Sequence, residues 1–192
     1  MSISRPSTFS PLFRDHAIRR FVGIAVAACG VDLLTKEIAV RSLGETGWVT
    51  LTDRLSLTLV WNTGAAGGMS IGPFTALLNV VVTVLALGLV MSVVRAMAAV
   101  DTRSTMALGL VSGGALGNLA SIVAGPVGVA DFLAVRLADD LTMVANVADL
   151  FLWAGALTLV PVGATLVRMA RAQRVAQRVS RPRLVPVQAE LA

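Results

Sequence analysis

The sequence predicts an all-α membrane protein of four transmembrane helices, with a small β-rich extracytoplasmic subdomain and a short extracytoplasmic helix. Three observations lead to this expectation. The chain is 56% hydrophobic and 14% charged, with a mean hydropathy of +0.80, against about 25% charged residues in soluble domains. Four apolar segments recur along its 192 residues. Its basic residues cluster at the two ends and in one connection rather than over a surface.

The first segment runs without interruption from Phe21 to Val31, then meets Asp32, Lys36 and Glu37. These eleven residues are too few to cross about 30 Å of hydrocarbon at about 1.5 Å per residue. A span over about 21–39 therefore places Asp32 inside the far half of the membrane, with Lys36 snorkelling outward. The second span, about 74–94, has Asn79 and Thr83 as its main polar interruptions. The third, about 106–124, carries Gly109, Gly113, Gly114 and Gly117 at a spacing that lets helices approach closely. The fourth, about 141–167, carries Asn146, Asp149 and Pro161.

Four spans put both termini on one side. Twelve of the sixteen Lys and Arg residues then share that side, leaving Lys36, Arg41, Arg54 and Arg136 opposite. The positive-inside rule makes the termini cytoplasmic. The organisation expected is a basic N-terminus over 1–20, a membrane domain over 21–167 and a basic tail over 168–192, the tail starting as an amphipathic helix near anionic lipid. Within the domain, 40–72 alternates β-branched and apolar residues with polar ones, as short strands do. "DFLAVRLADD", in the second outer loop at roughly 125–140, reads as the short helix. A rival reading takes Arg19-Arg20 and "VAAC", ending at Cys29, as a cleaved lipoprotein signal peptide. Its removal leaves three spans, which fit the arginine distribution less well.

The inventory excludes several chemistries. A single cysteine, Cys29, forms no intrachain disulfide or cysteine-based zinc cluster, and the lone His16 in the basic N-terminus leaves no histidine for a triad or metal site elsewhere. Nucleic acid is not an expected partner despite the formal charge of +5, because no basic motif interleaves with aromatics and Tyr is absent.

Polar groups inside the spans are the informative ones. An aspartate at mid-membrane costs about 2.5 kcal/mol or more, so it faces a protein interior or water. Asn146 and Asp149 are three residues apart and share a helix face; Asn118 and Ser121 repeat the spacing on the third span. Asp131 follows a Gly-rich turn just beyond that span. All fall at the level of the outer leaflet surface. Interhelical hydrogen bonding is one of two readings for the asparagines alone, but two aspartates converging with them suggest chemistry.

In order over about 20–160, "DLLTK" (Asp32, Thr35, Lys36), "NTGAAGG" (Asn62, Gly64, Ala65, Ala66, Gly68), "GGALGN" (Gly113, Gly114, Gly117, Asn118), "VADF" (Asp131, Phe132) and "NVAD" (Asn146, Ala148, Asp149) resemble the blocks of the lipoprotein signal peptidases. The resemblance implies an intramembrane aspartic endopeptidase that cuts prolipoproteins on the N-terminal side of a diacylglyceryl-modified cysteine. It implies Asp131 and Asp149 as the catalytic dyad, with Asn62, Gly64, Ala65, Gly114, Asn118 and Asn146 binding substrate or supporting the site. Asp32 and Lys36 would serve as a structural ion pair tying the first span to the outer sheet, or as a substrate contact. Adjacent carboxyls share a proton near neutral pH, one activating water and the other protonating the scissile carbonyl. That chemistry requires no metal and no cofactor. The implied partners are the lipid bilayer and the diacylglyceryl-modified prolipoproteins.

The chain departs from the family pattern at Ser121 and Ile122, where Asp-Arg is usual, at Gly67, where an aromatic is usual, and at Leu33 and Ala145. These changes raise a second expectation, a weakly active or non-catalytic paralogue that binds signal peptides or lipidated segments. A small transporter using a buried Asp149 is a third, against which stands the absence of an inverted repeat.

Overall fold

The computed structural model describes residues 11–44, 47–64, 69–125 and 128–180. Its four long helices are α1 (Pro11–Leu43), α2 (Thr75–Val100), α3 (Arg103–Ala124) and α4 (Val147–Ser180). One antiparallel sheet has the order β1-β2-β3-β4, formed by β1 (Val49–Thr50), β2 (Leu55–Asn62), β3 (Val129–Ala138) and β4 (Leu141–Ala145). The sheet sits where α1 and α3 end and α2 and α4 begin, so both of its hairpins belong to the same end of the bundle.

The stretches holding α2, α3 and α4 are long and apolar enough to cross a bilayer. α1 is long enough at 33 residues, but Asp32, Lys36 and Glu37 break its apolar run. The chain is thus a membrane protein with several apolar helices. Large apolar side chains such as Leu85 and Leu89 on α2 and Trp153, Leu157 and Val160 on α4 are exposed, as lipid-facing residues are.

α3 is the central helix, packed against α1, α4 and α2. Its glycines are what allow this. A Cβ at Gly113 would lie 2.6 Å from the Ala25 carbonyl oxygen, and one at Gly117 would overlap the Asp32 carboxylate, both on α1. A Cβ at Gly114 would lie 2.5 Å from the Ala148 carbonyl oxygen on α4. Small residues on two sides of α3 therefore set the backbone approach on which the site depends.

Two expectations are corrected. Residues 129–138, which contain most of the stretch expected to be a short helix, form β3, because β2 and β4 hydrogen-bond it on both edges and a central strand satisfies its backbone groups there. The fourth helix does not begin at 141. Leu141–Ala145 is β4, paired to β3, and α4 starts at Val147. α4 continues past 167 to Ser180, so the start of the basic tail is helical, and α1 runs from Pro11 to Leu43.

Candidate active site

Register brings the first carboxylate into place. β2 pairs with β3 so that Val60 faces Asp131 and Asn62 faces Val129, after an irregularity between Leu57 and Val60. Asp131 is 4% exposed and accepts hydrogen bonds from Asn62 Nδ2 at 3.0 Å and Asn146 Nδ2 at 2.6 Å, one on each carboxylate oxygen. Gly128, just before β3, has φ +102°, and a Cβ there would lie 2.5 Å from the Asn62 carbonyl oxygen. The turn into β3 thus needs glycine both for its conformation and for its proximity to Asn62.

The second carboxylate is positioned by how α4 starts. Asn146 lies between β4 and α4. Its Oδ1 accepts from Asp149 N at 3.1 Å, while Asp149 Oδ2 accepts from Asn146 N at 3.0 Å. This reciprocal pair is a capping box: "NVAD" satisfies two amides at the helix start. Asp149 stands in the first turn, where the helix dipole favours a carboxylate. Its Oδ1 accepts from Asn118 Nδ2 of α3 at 3.2 Å. One residue, Asn146, therefore bridges both aspartates. Asn146→Ala should cost about 1 kcal/mol of stability through the lost cap and slow cleavage at least about tenfold through the lost contact to Asp131, read as a melting temperature and a peptide-cleavage rate.

Lys36 Nζ donates to Asn118 Oδ1 at 2.7 Å and to Asp32 Oδ2 at 2.6 Å, and Asp32 Oδ1 accepts from Ala148 N at 2.8 Å. Asp32 is 0% exposed and Lys36 5%. The pair ties α1 to α3 and to the start of α4, not to the sheet, and neither residue lines the groove described next. Of the two roles expected for it, this contact pattern is that of an ion pair inside the bundle.

A groove of about 970 Å³ opens beside the aspartates. Asp131, Asp149, Asn62, Gly64, Asn118 and Asn146 lie in its wall among apolar residues that include Val82, Leu119, Leu152 and Trp153. Gly114 lies instead against α4, a packing position. Ala65, Ala66, Gly67 and Gly68 fall outside the described residues. Ser121 donates to the Gly117 carbonyl of its own helix, and Ile122 joins the groove wall. Each carboxylate oxygen of Asp131 and Asp149 keeps a donor without them. Two participants were not read as site residues: the Ala148 backbone amide, and Asn79 of α2, whose Nδ2 donates to the Gly64 carbonyl at 3.2 Å. An asparagine in an apolar span was the available signal for the second.

Burial pushes the Asp131 carboxyl above the usual carboxylate range, and the charge of Asp149 adds to this. The hydrogen bonds from Asn146 and Asn62, and the charge of Lys36, oppose it without cancelling it.

Comparison with known proteins gives the family. The family profile for signal peptidase (SPase) II matches residues 24–163. A lipoprotein signal peptidase of Bifidobacterium adolescentis is 35% identical over 136 residues, 69% of this chain and 69% of that protein. One from Rhodococcus jostii is 38% identical over 112 residues, 57% of this chain; the chain spans about half (53%) of that relative's length. A bacterial membrane enzyme solved by the in meso method at 1.9 Å superposes with a TM-score of 0.63 at 25% identity, covering 73% of this chain and 89% of the other. The chain belongs to the signal peptidase II family of aspartic peptidases, whose curated relatives here are lipoprotein signal peptidases.

Proposed function

We propose that the protein is an intramembrane endopeptidase that removes signal peptides from prolipoproteins, cutting on the N-terminal side of a diacylglyceryl-modified cysteine, with Asp131 and Asp149 as its catalytic pair. The observation that supports this most directly is the bridging of both carboxyls by Asn146 within one largely apolar groove. α1 is taken as a fourth crossing, with both termini cytoplasmic by the arginine distribution.

Two carboxyls held this way share a proton, and the burial of Asp131 biases that proton toward it. Asp149 then takes a proton from the attacking water. Asp131 donates to the scissile carbonyl oxygen, and the pair later protonates the leaving amine. Asn62, Asn118 and Asn146 orient the carboxylates. Apolar residues of the groove, Leu119, Ile122, Leu152 and Trp153 among them, would receive the acyl chains and the apolar run of the signal peptide. Groove-lining Ile122 in place of an arginine keeps this wall apolar.

The test is cleavage of a diacylated lipobox peptide by the purified protein, compared with its non-acylated twin. Cutting before the acylated cysteine, with little cutting of the twin, is expected. Binding without any cut product would favour a paralogue that only binds.

Cleavage should also fall on the alkaline side. As pH rises through the elevated Asp131 value the proton donor is lost, so the falling limb belongs above the ordinary carboxylate range. The stability effect has the same direction. A carboxyl that holds its proton more tightly folded than unfolded stabilises the fold below the unfolded value, and that contribution is lost as pH rises through the folded one. A pH–rate profile with no falling limb above the usual carboxylate range would contradict this assignment.

A further inference from the structure

A hydrogen-bond relay reaches Asp131 from α2, a helix to which the chemistry above assigns no role. Asn79 lies in the second turn of this apolar helix, half-buried and lining the groove. An amide taken out of water there is costly unless it has a partner. Its Nδ2 donates to the Gly64 carbonyl at 3.2 Å, Gly64 N donates to Asn62 Oδ1 at 2.9 Å, and Asn62 Nδ2 donates to Asp131 Oδ2 at 3.0 Å.

The order of these bonds matters. An asparagine amide has an accepting end and a donating end. With Gly64 N–H on Oδ1, the NH2 group is the end left to face Asp131. Reversed, Asn62 would set an NH2 group against an N–H and a carbonyl oxygen against a carboxylate. Strand pairing with Val129 holds the Asn62 backbone, but Gly64 lies past the strand end, in a stretch that also contains Gly67 and Gly68. Glycine restricts its own backbone least, so the Gly64 amide needs an outside tie. Asn79 supplies it from a helix.

We propose that Asn79 is a positioning residue for the cleavage reaction: by holding the Gly64 carbonyl, it sets the orientation of the Asn62 amide against Asp131. This rests on the peptidase reading above.

The experiment titrates Asp131 in the full chain in detergent, using 13C-labelled aspartate and NMR, with its signal assigned through Asp131→Asn. The other groups facing Asp131, namely Asp149 from α4, Lys36 from α1 and Asn146, stay in place. Asn79→Leu keeps the branched side-chain shape and removes the donor; Asn79→Ala removes both; Asn79→Gln keeps a donor. Because the Asn62 hydrogen bond favours the charged carboxylate, loosening it should raise the Asp131 midpoint by about half a unit in the Leu and Ala variants. Asn79→Gln should return most of that shift. Adding Asn79→Leu to Asn62→Ala should produce no further change. In cleavage assays kcat should fall about fivefold with KM little changed.

An unshifted midpoint in Asn79→Leu, an undiminished shift in the Asn62→Ala background, or a higher KM at unchanged kcat would each overturn the proposal. If the unmutated protein cuts no acylated peptide, the peptidase reading fails instead. The titration still decides whether Asn79 acts on Asp131.

Discussion

Replacing either Asp131 or Asp149 with asparagine is expected to reduce cleavage of a diacylated lipobox peptide by about a thousandfold or more. An amide neither takes a proton from water nor delivers one to a carbonyl oxygen. Both variants should also lose an orienting contact. Each carboxylate oxygen in the native site accepts from a nitrogen, so an introduced NH2 group meets another donor wherever it is placed. The protein should nevertheless remain folded, since each change replaces a buried or half-buried carboxyl with an amide of nearly the same volume. Product mass spectrometry together with a melting curve separates the two effects. Native-like cleavage by both folded variants would remove the dyad from the mechanism.

The second large effect is on stability. Asp32→Ala leaves Lys36 buried with only Asn118 to accept from it, and leaves the Ala148 amide without its carboxylate. Breaking one half of a buried ion pair costs about 3–5 kcal/mol, a large part of the roughly 5–15 kcal/mol that holds a typical domain folded. The exposed pair Arg41–Glu37 provides the contrast, since breaking it should be nearly neutral. The loss should appear as a lower melting temperature in detergent, monitored by helical circular dichroism. The double variant Asp32→Ala with Lys36→Met should recover part of it, because no unpaired charge is then left inside. A melting temperature unchanged in Asp32→Ala would show that the pair does not hold α1 against α3 and α4.

Helix contacts were legible to the extent that they depend on residue size. The glycines of α3 are read from spacing alone, and they occur where α1 and α4 leave no room for a Cβ. The strands were less legible. The local pattern reads 131–140 as a short helix and 141–145 as part of a span, because a short stretch that is apolar but for Asp131, Arg136 and its acidic end has no local feature that separates a central strand from a helix. What makes β3 a strand is the pairing it receives from β2 on one side and β4 on the other. "NVAD" did contain a usable local signal. An asparagine three residues before an aspartate, at the edge of an apolar run, marks a helix start, and that places the beginning of α4 after Ala145.

Composition and pattern alone determined that this chain belongs in a membrane and that α3 would be tightly packed, while the resemblance to the lipoprotein signal peptidases is what singles out Asp131 and Asp149 among its acids. The first two follow from hydropathy and side-chain size, properties that residues carry wherever they are placed. The tertiary structure alone decided that Asn146 bridges the two acids, that Asp32 and Lys36 face the bundle interior, and that Asn79 is joined to Asp131 through Gly64 and Asn62. Those are directional contacts between groups as many as 116 residues apart. A hydrogen bond depends on which end of an amide faces its partner, and that orientation exists only once strands and helices have met.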